Sequence, residues 1–132
     1  MKIKSIISIL SIVLLFAACK DDEAHIEVVN GVHNVRLQNI SFVDFPLGYD
    51  LLPGESTGKK KLSEEYDDIS FPLSGQIVFY MLGTDGSKVY LKTKESFRLN
   101  KNDNLQVVIS DNTEVVNMVT GSIRSFTEAV DD

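Results

Sequence analysis

The sequence predicts an all-β fold, an antiparallel β-sandwich of seven or eight strands. Three observations predict it. Apolar and polar residues alternate over short stretches such as Lys88-Val89-Tyr90-Leu91-Lys92-Thr93-Lys94, the period of a half-buried strand. Clusters of Gly, Asn, Asp and Ser interrupt these stretches every 8–12 residues or so, as turns do in small sandwiches. After residue 19 no segment carries an apolar stripe at helical spacing. No repeat of fixed period is present either, which argues against a solenoid or propeller. Immunoglobulin-like and transthyretin-like architectures both satisfy this pattern.

Taken in order, the strands begin at Glu27. Val28-Val29-Asn30-Gly31-Val32 sets Asn-Gly between β-branched residues, which predicts a hairpin with both turn residues at positive φ. Counting outward pairs Val29 with Val32, Val28 with His33 and His25 with Arg36, so His25 faces a cation rather than a second histidine. The next strand places Val35 and Leu37 on one parity, then Ile40 and Phe42 on the other. That slip near Gln38-Asn39 predicts a bulge or a change of sheet. Residues 44–70 read as a long connection with a short strand around Lys60–Leu62. Pro46, Gly48, Pro53, Gly54, Gly58 and the run Lys59-Lys60-Lys61 break any period there. Connections of that length are often functional. Phe45, Leu47, Tyr49, Leu51 and Leu52 make this one unusually apolar. It either folds back on the core or presents a contact surface, and these five residues are the expected partner-contact set.

The pattern sharpens after Pro72. Gln76 to Leu82 is apolar on both parities and predicts a central, covered strand. Gly83 to Ser87 is a turn. Val89, Leu91 and Thr93 then point inward while Lys88, Lys92 and Lys94 stand in water, which suits an edge. Phe97 and Leu99 continue, Asn100 to Asn104 turns, and Leu105, Val107 and Ile109 line the next strand. Asp111-Asn112-Thr113 turns again, and either Val115, Asn117 and Val119 or Val116 and Met118 face the core. Ile123 and Phe126 give a last short strand.

Residues 1–19 have a different character. Lys2 and Lys4 precede an apolar run broken only by serines, then Ala17-Ala18-Cys19. This is the basic, apolar and small-residue layout of a secretory signal. The apolar stretch from Ile3 to Ala18 falls short of the roughly 20 residues a spanning helix needs. Leu15-Phe16-Ala17-Ala18-Cys19 resembles the lipobox of bacterial lipoproteins, with Phe16 where Leu is usual. The resemblance implies cleavage before Cys19, thioether lipidation of its sulfur and acylation of the new amino terminus. Several acyl chains hold a protein to a bilayer almost permanently, at about 0.8 kcal/mol per buried methylene. Lys20-Asp21-Asp22-Glu23 resembles the acidic export signal of Bacteroidota surface lipoproteins. That resemblance implies an outer-membrane, surface-exposed location.

The expected organisation is therefore a signal peptide over 1–18, a lipidated cysteine and acidic tether over 19–25, and one domain over 26–132. Loss of Lys2 and Lys4 leaves eleven basic residues against nineteen acidic ones, a formal charge of −8. Such a balance disfavours nucleic acid and anionic membrane surfaces. Cys19 is the only cysteine, so the domain forms no internal disulfide and depends on an ordinary core.

Candidate chemistry fails on geometry. Gly54-Glu55-Ser56-Thr57-Gly58 matches a nucleophile elbow, yet both histidines precede Ser56 and no helix follows. Gly54 to Lys59 has one residue too few for a phosphate loop. Asn100 to Asp111 mimics a calcium loop but has Leu105 at the sixth place and Asp at the twelfth. Tryptophan is absent, which weakens a sugar-binding platform built on Tyr49, Tyr66, Tyr80 and Tyr90. No metal or cofactor is expected. The expectation is a lipid-anchored, non-enzymatic binding or structural accessory module. Its partners are the membrane through Cys19 and a protein or glycan. An inhibitor of an extracellular enzyme and a glycan-binding domain are the alternatives.

Overall fold

A computed structural model describes residues 22–126. The signal segment 1–18, Cys19 and the first tether residues lie outside the described part. Strand β1 (Glu23–Gly31) buries alternate residues, Ala24, Ile26, Val28 and Asn30, as strand geometry requires. It is the middle strand of three. Strand β4 (Lys60–Ser63) pairs antiparallel on one side, and β9 (Asn104–Ser110) pairs parallel on the other.

The hairpin expected at Asn30-Gly31 does not form. β1 runs straight through both residues, and the next strand, β2 (Arg36–Phe42), belongs to the other sheet. Asn30 is fully buried because its side chain satisfies three backbone groups. Nδ2 donates to the carbonyls of Val35 at 2.8 Å and Leu51 at 3.0 Å, and Oδ1 accepts from the Val32 N–H at 3.0 Å. At Gly31 a Cβ would lie 3.1 Å from the Ile109 carbonyl oxygen and 3.2 Å from a Val108 methyl, so glycine allows β9 to approach. The expected cross-strand pairs fail with the hairpin: His25 lies opposite Lys61 and Asn104, not Arg36.

The second sheet has six strands, all antiparallel. In spatial order they are β11 (Ile123–Ser125), β10 (Glu114–Asn117), β7 (Lys88–Thr93), β6 (Ile77–Leu82), β2 and β3 (Phe45–Leu51). A short pair, β5 (Leu73–Gly75) with β8 (Phe97–Leu99), completes the set. The all-β, sandwich-like organisation is as expected. The described residues hold eleven strands rather than seven or eight, and the β1–β9 pairing is parallel.

The extra strands come mainly from the segment read as a long connection. Residues 45–51 form β3, joined to β2 by the two-residue turn Val43-Asp44 with φ of 48° and 66°. Valine rarely adopts that region. Here its side chain packs on the core, and a Cβ at Gly75 would come within 2.9 Å of a Val43 methyl. Pro46 and Gly48 are compatible with a strand because β3 is an edge whose pairing slips between Ile40 and Ser41. The register break predicted near Gln38-Asn39 is present, with Asn39 at φ 50°. The short strand predicted at Lys60–Leu62 is present as β4.

Inward residues of both sheets form one core. Ile26, Val28, Leu62, Val107 and Ile109 from the three-stranded sheet meet Leu37, Ile40, Phe42, Ile77, Phe79, Met81, Leu91 and Val115 from the six-stranded one. Phe126 lies fully buried among them, its ring stacked on Phe79 with centroids 6.0 Å apart. β6 is interior as predicted, and on β7 Leu91 and Thr93 are buried while Lys88 is exposed. β7 is not an edge, however, since β10 covers its far side. On β10, Val115 and Asn117 face inward. The strand stops at Asn117, whose Oδ1 accepts the N–H groups of Val119 and Thr120, so Val119 turns out into solvent.

Candidate functional site

Sheet edges carry unpaired backbone groups, and proteins usually blunt them with charge, proline or brevity. Three of the long sheets' edges are blunted in this way. β3 contains Pro46, Asp50 and a slipped register; β4 is four residues long and lysine-rich; β11 is three residues long and contains Arg124. β9 differs. Its seven residues, Asn-Leu-Gln-Val-Val-Ile-Ser, include no charge, no proline and no glycine, and Val108 is 51% exposed.

The hydrogen-bond parity of β1 shows which β9 groups are open. Val28 and Asn30 turn their backbone toward residues 54–57: Thr57 N–H donates to the Val28 carbonyl, and Asn30 N–H donates to that of Glu55. The odd residues of β1 therefore turn toward β9, as His25 N–H donating to the Asp103 carbonyl illustrates. By parallel-ladder geometry, Leu105, Val107 and Ile109 answer β1, while Gln106 and Val108 direct N–H and C=O to the other side, where no strand pairs among the described residues. Ser110, of the same parity, already turns away to Thr113, donating to its hydroxyl and accepting its N–H.

Along that open side runs a groove of about 560 Å³. Phe97 and Val108 supply its exposed apolar surface, Val107 and Ile109 border it but are buried in the core, and the rest of its wall is polar or charged, including the Lys94–Glu114 ion pair at 3.5 Å. Thr93 also borders it, but its hydroxyl is engaged, accepting from Ile77 N–H and donating to the Glu95 carbonyl. An open strand edge beside a groove of mixed polar and apolar lining is suited to receiving an extended peptide. Main-chain bonds would give affinity and alternate side chains selectivity.

The five residues expected to contact a partner separate on the structure. Leu47 and Leu51 are buried in the core, Phe45 is half-buried against it, and only Tyr49 and Leu52 are exposed. Of the two expectations for this segment, folding back on the core describes Leu47 and Leu51, which strand alternation sends inward, while Tyr49 and Leu52 stand exposed. Nothing in the sequence of residues 44–52 pointed to β9 instead. The available signal was the uncharged run from Leu105 to Ser110.

The other motifs dissolve in their surroundings. After a turn at Pro53-Gly54, residues 55–57 run beside β1. Ser56 forms a bridge with Val29, donates to Glu27 at 2.5 Å and accepts from Gly58 N–H. At the calcium-like run, Asp103 accepts from the Asn100 N–H and side-chain amide, closing a turn, and β9 separates that turn from Asp111. His33 Nδ1 and Asp111 Oδ2 lie 2.9 Å apart on the surface. Among the described residues, no three His, Cys, Asp or Glu side chains gather as a metal site. Tyr80 and Tyr90 stack on each other with centroids 4.6 Å apart and Lys88 above Tyr80, so they turn ring faces to one another rather than to a sugar.

Surface electrostatics yield a pH prediction. Glu27, Asp50, Glu64, Asp85 and Asp111 are held below their ordinary values of 4.5 for Glu and 3.8 for Asp. Hydrogen bonds are the leading cause: from the Ser56 hydroxyl, Arg36, Phe71 N–H, Ser87 N–H and His33, respectively. A depressed carboxylate contributes stability that is complete above its ordinary value and lost as pH falls through the depressed one. Urea midpoints should therefore fall as acid takes the protein below those ordinary values. A midpoint unchanged at about pH 3 would contradict the assignment.

No protein-family model, curated protein or solved structure matches the chain.

Proposed function

We propose that this chain is a lipid-anchored, non-catalytic module that binds an extended segment of a partner protein along β9. The carrying observation is the uncharged edge whose Gln106 and Val108 backbone groups turn away from β1, beside a groove that mixes apolar Phe97 and Val108 with polar and charged side chains. The anchor is the lipid on Cys19, and the location is the outer-membrane surface, as the lipobox and the acidic residues after it imply. An immunoglobulin-like or transthyretin-like sandwich is the finer architecture we favour. A non-enzymatic role fits because Ser56, His33, Glu64 and Asp67 are bound to structural neighbours. The stacked tyrosines make the glycan-binding alternative weaker.

The test is crosslinking in intact cells with a photoreactive amino acid at Gln106 or at Tyr49. Strand addition predicts a discrete adduct from position 106. Val108→Pro should reduce that adduct about tenfold, because it deletes an outward N–H while sparing the ladder to β1. Ile109→Pro, on the β1-facing parity, should instead unfold the domain. Adducts formed only from position 49, or unaffected by Val108→Pro, would refute strand addition at β9.

A further inference from the structure

We infer that the end of the sandwich carrying Tyr66 rests on the lipid headgroup layer, while the end at Gly31 and Asp111 faces away from the bilayer. This rests on the lipidation of Cys19 proposed above. From Cys19 to Asp22 there are three peptide steps, which reach about 11 Å at full extension. Asp22 is already part of the fold, because its carbonyl accepts the Glu64 N–H at 2.9 Å. One residue later the Glu23 carbonyl accepts the Asn102 N–H at 2.7 Å. Two turns therefore lie within a few ångströms of the tether's inner end: residues 63–67 and residues 100–103.

The first turn is closed on itself. Asp67 N–H donates to the Ser63 carbonyl, and Asp67 accepts the Ser63 N–H at 2.7 Å. From it Tyr66 projects, 76% exposed. Tyrosine is the kind of side chain that sits at headgroup depth, with an apolar ring and a polar tip. Around it Glu64, Glu65, Asp67 and Asp68 outnumber Lys61 and Lys101, and those lysines are paired with Glu23 and Glu64. Among the described residues this end is therefore net negative, which disfavours anionic lipids. The contact is held by the short tether and by the ring, and it suits zwitterionic headgroups.

From Glu23, β1 rises about 3.3 Å per residue and ends some 26 Å away at Gly31. Ser110 is aligned with Gly31, and His33 reaches Asp111 there. A body tied this closely at one end of its middle strand must present the other end outward.

The full lipidated chain in phosphatidylcholine vesicles containing a headgroup-nitroxide lipid tests this. Its native sulfur is capped by lipid, so Tyr66→Cys or His33→Cys supplies the one thiol for a fluorescent probe. Quenching at position 66 should exceed that at position 33 by about threefold or more, given the strand-length separation. Equal quenching, or stronger quenching at position 33, with the protein still floating on vesicles overturns the orientation alone. A wild-type chain that takes up no lipid and does not float overturns the anchor, and the orientation with it.

Discussion

Asn30→Ala should destabilise the domain by about 3 kcal/mol or more, because it removes the partner of three buried backbone groups at once. Each stranded N–H or carbonyl costs about 1–3 kcal/mol when water cannot replace the lost bond. The three groups also sit on different parts of the chain. Val32 and Val35 flank the crossing from β1 to β2, and Leu51 ends β3. Asn30 therefore ties the three-stranded sheet to the six-stranded one. Asn30→Asp is the informative companion. It preserves shape and the acceptor for Val32 but loses both donors and adds a buried charge, so it should be at least as damaging. Urea unfolding checks both. A loss below about 1 kcal/mol for Asn30→Ala would mean water replaces the amide.

The second large effect concerns the aromatic pair. Phe126→Ala should cost about 3–5 kcal/mol, the range for deleting a buried phenyl ring. Phe126 is fully buried, stacks on Phe79 at an interplanar angle of 6°, and is fixed by its N–H donating to the Thr113 carbonyl. Phe79→Ala should cost a similar amount. The double variant should fall short of the sum by about 0.5–1.5 kcal/mol, the coupling expected of rings in contact. Full additivity would show that the rings do not support each other. A loss under about 1 kcal/mol for Phe126→Ala would remove that residue from the core.

The sequence made some of this legible because periodicity and turn chemistry acted locally. β7 and β9 follow their alternation, β6 was legible as an apolar run, and the bulge near Asn39 was visible as a parity slip. What was misread shares one physical cause, a residue used for something other than its commonest role. Asn30 bonds buried carbonyls instead of turning the chain, and Gly31 admits a neighbouring strand. The real two-residue turn is Val43-Asp44, whose valine gives no turn signal and is tolerated because its side chain packs. With that turn hidden, β3 looked like a loop whose leucines either folded back on the core or met a partner. The β9 groove was illegible for another reason. Openness of an edge depends on which strands pair, and the parallel partnership of β1 with β9 spans most of the domain.

That partnership has a consequence for how the chain acquires its shape. Ile26 pairs with Lys60, thirty-four residues later, and with Leu105, seventy-nine residues later. Contacts so distant in sequence are slow to form, because loop closure must be met before any pairing rewards it. The first strand to emerge during synthesis waits for nearly the last. Until β9 arrives, β1 has an unfilled side, which keeps the three-stranded layer open through most of the chain's synthesis.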